Sequence, residues 1–188
     1  MRKLITVSAL ALLPILTGCV AAVVGGAAAS GYLIGEDRRS AQILSDDQAI
    51  ETRVGSRVGE KHPGAHVNTT SYNRLALLTG EAPTAEAKAD IEKIAREVPN
   101  VRGIFNELTV APPTAMSVRA NDAYVTSKVK ARFVDARKFN PIHVKVVTED
   151  STVFLMGVVK QQEATDATEV ARTTSGVRRV VRLFEIQG

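Results

Sequence analysis

The sequence predicts an α+β fold built twice: two tandem domains, each in the order helix, strand, strand, helix, strand. Three observations lead to this. A buried-strand pattern closed by glycine occurs at Leu75-Ala-Leu-Leu-Thr-Gly80 and again at Thr152-Val-Phe-Leu-Met-Gly157. Each is followed by a helical pattern and a similar entry to a last strand, Pro99-Asn-Val-Arg-Gly-Ile104 and Ser175-Gly-Val-Arg-Arg-Val180. The likeness also runs upstream, where Asp47-Gln-Ala-Ile-Glu-Thr-Arg-Val54 aligns with Asp122-Ala-Tyr-Val-Thr-Ser-Lys-Val129, and His66-Val67 with His143-Val144. A repeat of this length is a duplicated small domain and not a solenoid unit.

The chain opens on a positive segment, Met1-Arg2-Lys3, and an apolar run from Leu4 to Leu16 that is too short to span a bilayer. Residues 1–18 are therefore expected to be a signal peptide. Leu16-Thr-Gly-Cys19 resembles the bacterial lipobox, in which the Cys thiol takes a diacylglycerol, the leader is cut off, and the new amine is acylated (a palmitate-type anchor). The resemblance implies that Cys19, the one cysteine, is a lipidation site, and no intrachain disulfide is available. Similarity to sorted lipoproteins gives Val20 a meaning: the absence of Asp there points to the outer membrane, facing the periplasm. The Ala/Gly-rich stretch that follows reads as a tether, so that residues 19–44 form the lipidated Cys and its linker.

The first domain is expected over 45–112. Asp46 or Asp47 caps its first helix, and Ile50, Val54 and Val58 form an apolar face. Pro63-Gly64 stops the helix, His66 to Ser71 and Arg74 to Thr79 form a hairpin about Tyr72-Asn73, and Thr84 caps a second helix with Ala87, Ile91, Ile94 and Val98 inward. Val101 to Val110 is the third strand. A linker at 113–119, entered through Pro112-Pro113, leads to the second domain over 120–188. There Val125, Val129 and Phe133 face inward from a helix starting near Asp122, Glu149-Asp150-Ser151 makes the turn, and Ala164, Ala167, Val170 and Ala171 line the second helix. The hairpin makes strands one and two antiparallel, and the helical crossover makes strands two and three parallel. Each copy is then a three-stranded mixed sheet with two helices packed on one face.

With these residues in view, both copies resemble the BON domain of bacterial envelope proteins, whose most regular feature is the glycine after the second strand. The whole chain, leader included, resembles the dual-BON outer-membrane lipoproteins. Val144-Lys-Val-Val-Thr-Glu-Asp150, Val153-Phe-Leu-Met-Gly157 and Ser175-Gly-Val-Arg178 carry the likeness most specifically. The resemblance implies a non-enzymatic protein that supports envelope integrity under stress. Its partner is an anionic phospholipid such as phosphatidylglycerol, bound by the first helix of the second domain, where the family usually has Trp at the Tyr124 position.

The residues themselves bear on that reading. Arg119–Gly188 has 12 basic and 8 acidic residues, whereas Ser45–Pro112 has 8 and 10, so the second copy is the better match for an acidic partner. Tyr124, Lys128 and Arg132 recur at helical spacing beside the inward face, with Lys130 nearby and Phe139 in the following loop. An aromatic ring flanked by cations suits a lipid headgroup layer. The alternative is an ordinary exposed basic helix. Two other functions stay open: a protein-interaction adaptor for outer-membrane assembly or cell-wall factors, working through sheet edges or faces, and a BON-type periplasmic chaperone. Nucleic-acid binding fits the charge of the second domain but not a secreted protein, so no nucleic-acid partner is expected. No nucleophile–base motif or phosphate loop is present. His66 and His143 are repeat equivalents with no carboxylate at ligand spacing along the chain, so no metal or cofactor is expected. The remaining carboxylates read as solvated helix-surface charge. Gly80 and Gly157 read as backbone necessities.

Overall fold

A computed structural model describes residues 37–188. Cys19, the expected signal peptide and most of the expected tether lie outside the described residues. The first domain comprises α1 (Ala41–Lys61), β1 (His66–Tyr72), β2 (Leu75–Ala82), α2 (Ala85–Arg96), β3 (Gly103–Asn106) and β4 (Thr109–Val110). The second comprises α3 (Met116–Ala136), a 3₁₀ turn at Pro141–His143, β5 (Lys145–Glu149), β6 (Thr152–Val159), α4 (Gln161–Arg172) and β7 (Arg179–Ile186). In each, β-hairpin partners run antiparallel and the crossover strand pairs parallel with the middle strand. The expected αββαβ order is therefore present twice. The third strand of the first sheet is broken at Glu107-Leu108, where Leu108 turns into the core and β4 resumes the pairing with β2.

The inward helix faces are as the periodicity predicts. Ile50, Val54 and Val58 pack with Ala87, Ile91, Ile94, Ala76 and Leu78, and Val125, Val129 and Phe133 pack with Ala164, Ala167, Val170, Val153 and Leu155. The period-2 alternation of the strands then sends Leu75, Leu77, Phe154, Met156 and Val158 to the opposite sheet faces. There the two sheets meet each other. Tyr72, Leu77, Phe154 and Met156 are buried in one cluster drawn from both domains. The middle strands are apolar without a break because both of their faces are covered. Each large side chain buried between the sheets stabilises the pair by about 2 kcal/mol. Two domains too small to hold large separate cores thus share a third one.

Two expectations about the first helix need correction. α1 begins at Ala41, with Ser40 as its cap, Oγ accepting from the Ile43 N–H at 3.3 Å. Asp46 and Asp47 lie one turn and more inside it, and both are buried. They bind the hairpin instead of capping the helix. Asp47 accepts from the backbone N–H groups of Asn73 (2.9 Å) and Arg74 (2.7 Å) and from Ser71 Oγ (2.7 Å). Arg74 pairs with Asp46 at 2.6 Å, which holds that carboxyl below the usual range. Asp122 repeats the device, accepting from the N–H groups of Asp150 (2.9 Å) and Ser151 (2.8 Å). Both turns have positive φ at their two central residues, Asn73-Arg74 and Asp150-Ser151, the backbone of a tight hairpin.

The chain enters the fold across the domain seam. Arg38 donates to both carboxylate oxygens of Glu163 (2.6 and 2.8 Å) and to the Val158 carbonyl (2.8 Å), all in the second domain. Arg39, the next residue, stacks 3.7 Å over the Tyr72 ring and pairs with Asp47 at 2.9 Å in the first. Glu163 also accepts from the Lys160 N–H at 2.7 Å, satisfying the start of α4. The Arg38 guanidinium, aided by that N–H, pulls the Glu163 carboxyl down to about 2 against desolvation. A carboxyl depressed on folding contributes stability above its unfolded value of 4.5 and loses it as pH falls towards 2. Acid titration of wild type and Glu163→Gln should therefore converge: the wild type is the more stable at pH 6, and the difference vanishes near pH 2. A constant difference across that window would mean the Arg38–Glu163 pair contributes nothing in solution.

Candidate lipid-facing site

α3 carries two faces of different character. Its inward face is Val125, Val129 and Phe133, with Asp122 on the hairpin. Its outward face holds Met116, Ala120, Tyr124, Ser127, Ala131 and Val134, spaced by three and four residues and all exposed. Met116 is 73% exposed, Tyr124 62% and Val134 61%, which makes them three of the five large apolar side chains most open to solvent among the described residues. The stripe runs about 27 Å along the helix. At the equivalent positions α1 shows Ala41, Ser45, Ala49, Thr52, Ser56 and Gly59, with no large apolar side chain.

Of the residues singled out in the sequence, Tyr124 and Lys128 come together. The Lys128 ammonium stands 4.7 Å over the Tyr124 ring and donates to Ser175 Oγ (3.0 Å) and to the Ser175 carbonyl. Lys130 is exposed on the other flank of the stripe. Arg132 is engaged elsewhere. Its guanidinium donates to the Val170 carbonyl (3.1 Å), Thr174 Oγ1 (2.9 Å) and Thr173 Oγ1 (3.1 Å), closing the C-terminal end of α4. Phe139 requires a correction. It is buried, its ring edge-on to Phe133 with centroids 5.0 Å apart, so it supports the end of α3 from inside and presents nothing to a membrane. Met116 and Val134 are not marked by the sequence pattern. The aspartate at position 122 suggests a helix start there, and the true cap, Ala115, offers no side-chain signal. Val134 sits where a second apolar face is visible only once the inward one has been assigned.

Glycines and histidines form a second repeated arrangement. A Cβ on Gly80 would lie 2.1 Å from the His66 carbonyl oxygen, and one on Gly157 would lie 2.3 Å from that of His143. Each glycine therefore admits the backbone beside it, that of β1 at Gly80 and that of the 3₁₀ turn ahead of β5 at Gly157. Gly80 also has φ +106°, a conformation that other residues rarely adopt, whereas Gly157 does not. The expectation that the carboxylates are solvated fails here too, since Glu81 is buried and its Oε2 meets His66 Nδ1 at 3.0 Å.

No helix among the described residues is long and apolar enough to cross a membrane. A family model for the BON domain matches residues 46–112 and again 121–188. The chain is 36% identical over 174 residues to the outer membrane lipoprotein DolP of Haemophilus influenzae, covering 90% of this chain and 89% of that one. It is 31% identical to the 21 kDa hemolysin of Actinobacillus pleuropneumoniae, over 79% of this chain and 78% of the relative. It is 27% identical to the osmotically-inducible protein Y of Escherichia coli, over 72% and 70%.

Proposed function

This chain belongs to the BON domain family and is a dual-BON lipoprotein of the DolP type, and on that premise we propose that its second domain binds anionic phospholipid while a lipid on Cys19 holds it to the outer membrane, facing the periplasm. It acts by binding and not by catalysis, and supports the integrity of the envelope under stress. The observation that carries this reading is the exposed apolar stripe of α3, Met116–Tyr124–Val134, flanked by Lys128 and Lys130 and absent from α1. An exposed face of this kind needs an apolar partner, and its flanking ammonium groups favour an anionic one. The helix would lie in the headgroup layer, its tyrosine at the polar boundary and its methionine and valine deeper.

Co-sedimentation with vesicles of phosphatidylglycerol or phosphatidylcholine tests this. The protein should prefer the anionic vesicles. Each cation near such a surface is worth about 1 kcal/mol, so Lys130→Glu should weaken binding by about 2 kcal/mol, roughly thirtyfold. Tyr124→Ala should weaken it by about 1 kcal/mol, and added salt should erase the Lys130 effect far more than the Tyr124 effect, because screening acts on charge and not on apolar burial. Arg53→Glu in the first domain should change little. Equal losses for Arg53→Glu and Lys130→Glu would reject a site on the second domain, and indifference to lipid charge would favour the adaptor reading.

A further inference from the structure

We propose that His66, Glu81 and Glu149 bind one divalent transition-metal ion of the zinc type, bridging the two domains. One ligand atom from each residue lies within 4.8 Å of the other two. His66 opens β1, Glu81 lies opposite it on β2, and Glu149 ends β5 of the second domain, so the set exists only because the sheets pack face to face. Ligand atoms around a tetrahedral zinc stand about 3.3 Å apart, given bonds of about 2.0–2.1 Å. The His66–Glu81 pair, at 3.0 Å, is already close to that spacing. Glu149 has to close on the pair, and its partly exposed side chain leaves room for this. Asn68 donates to it at 2.9 Å, orienting the carboxylate without neutralising it.

Charge and comparison of the copies favour an ion over a plain histidine–carboxylate pair. His143 makes the same close backbone approach to its glycine as His66, but the residue after that glycine is Val158 where the first domain has Glu81. The structural role of the histidine therefore does not call for a carboxylate. A buried carboxylate is costly unless paired, and here a second one is brought beside it from the other domain. Two carboxylates and a neutral imidazole balance one dication. A cleft of about 260 Å³ reaches Glu81 and Glu149 from solvent, lined also by Glu107 and Asp150, with Arg179 as its cation. In the same cleft Thr114 Oγ1 is buried without a hydrogen-bond partner, while the Thr114 N–H donates to Glu81 Oε2 at 3.2 Å. A water in the fourth coordination position would give that hydroxyl its partner. The other histidine–carboxylate pair, His62 with Asp90, offers two ligands and already has Lys61 beside it.

The test uses the full chain purified in detergent micelles, stripped with a chelator and titrated with ZnCl₂ against a chromogenic competitor. One equivalent should bind and raise the melting temperature. Glu149→Gln, a near-isosteric change at a partly exposed position, should keep the metal-free melting temperature near that of the wild type, weaken zinc binding by about tenfold or more and abolish the thermal shift. His66→Gln should likewise weaken binding and abolish the shift, while His62→Gln should leave both unchanged. Absence of a zinc equivalent in the wild type, or undiminished binding by Glu149→Gln, would overturn the proposal.

Discussion

Asp47→Ala is expected to destabilise the protein by about 4 kcal/mol, a large share of the 5–15 kcal/mol that holds a typical fold. The carboxylate is buried and serves four donors: Ser71 Oγ, the Asn73 and Arg74 N–H groups, and the Arg39 guanidinium. Alanine leaves two turn amides without an acceptor, at about 1–3 kcal/mol for each that stays buried, and removes a carboxylate from Arg39, which also stacks on Tyr72 at the seam between the sheets. The turn cannot easily relax, because both of its central residues already sit at positive φ to present those amides to Asp47. Asp122→Ala removes the same device from the second hairpin but loses two bonds and no guanidinium, so about 2 kcal/mol is expected there. Urea unfolding gives both numbers. Asp47→Asn should fall between wild type and alanine, since the amide keeps one acceptor oxygen. Unchanged midpoints for Asp47→Ala and Asp122→Ala would show that the turns hold their shape without the aspartates.

The same aspartates show where the sequence stops being legible. Asp46-Asp47 ahead of Ile50 looks like a helix cap because local rules weigh the nearest residues, and the bond that matters runs to Arg74 and Asn73, more than twenty residues on. The duplicated αββαβ order is readable because period-2 and helical patterns are local and occur twice. Leu75-Ala-Leu-Leu and Val153-Phe-Leu-Met are readable as strands buried on both faces, but nothing along the chain says that the second face of each is covered by the other. For that reason the triad His66, Glu81 and Glu149, which spans both sheets, is invisible in the sequence, where spacing along the chain offers His66 no neighbouring ligand. On α3, Tyr124 and Lys128 are legible because their contact is one helical turn long. Arg132 and Phe139 are not, because their surroundings are set by α4 and Phe133.

Gly157→Ala is expected to cost about 3 kcal/mol, through contact alone. The added Cβ would stand 2.3 Å from the His143 carbonyl oxygen, and the obstacle is backbone, which cannot turn aside as a flexible side chain could. φ at Gly157 is not positive, so alanine meets no conformational penalty there; its Cβ also stands 3.2 Å from the Val159 side chain, and the γ-methyls of valine should add to the clash. At Gly80 the same close approach, 2.1 Å from the His66 carbonyl, is joined by φ +106°, so Gly80→Ala should exceed Gly157→Ala by about 1 kcal/mol. The displacement also travels. The His143 carbonyl accepts from the Tyr72 hydroxyl of the first domain at 3.3 Å, so pushing it outward disturbs the seam as well as its own sheet. Tyr72→Phe should therefore lower the cost of Gly157→Ala in a double-mutant cycle, because the bond that the clash strains is already gone. Strict additivity of the two substitutions would show that the strand relaxes within the second domain, and an unchanged melting temperature for Gly157→Ala would show that the close approach is not required at all.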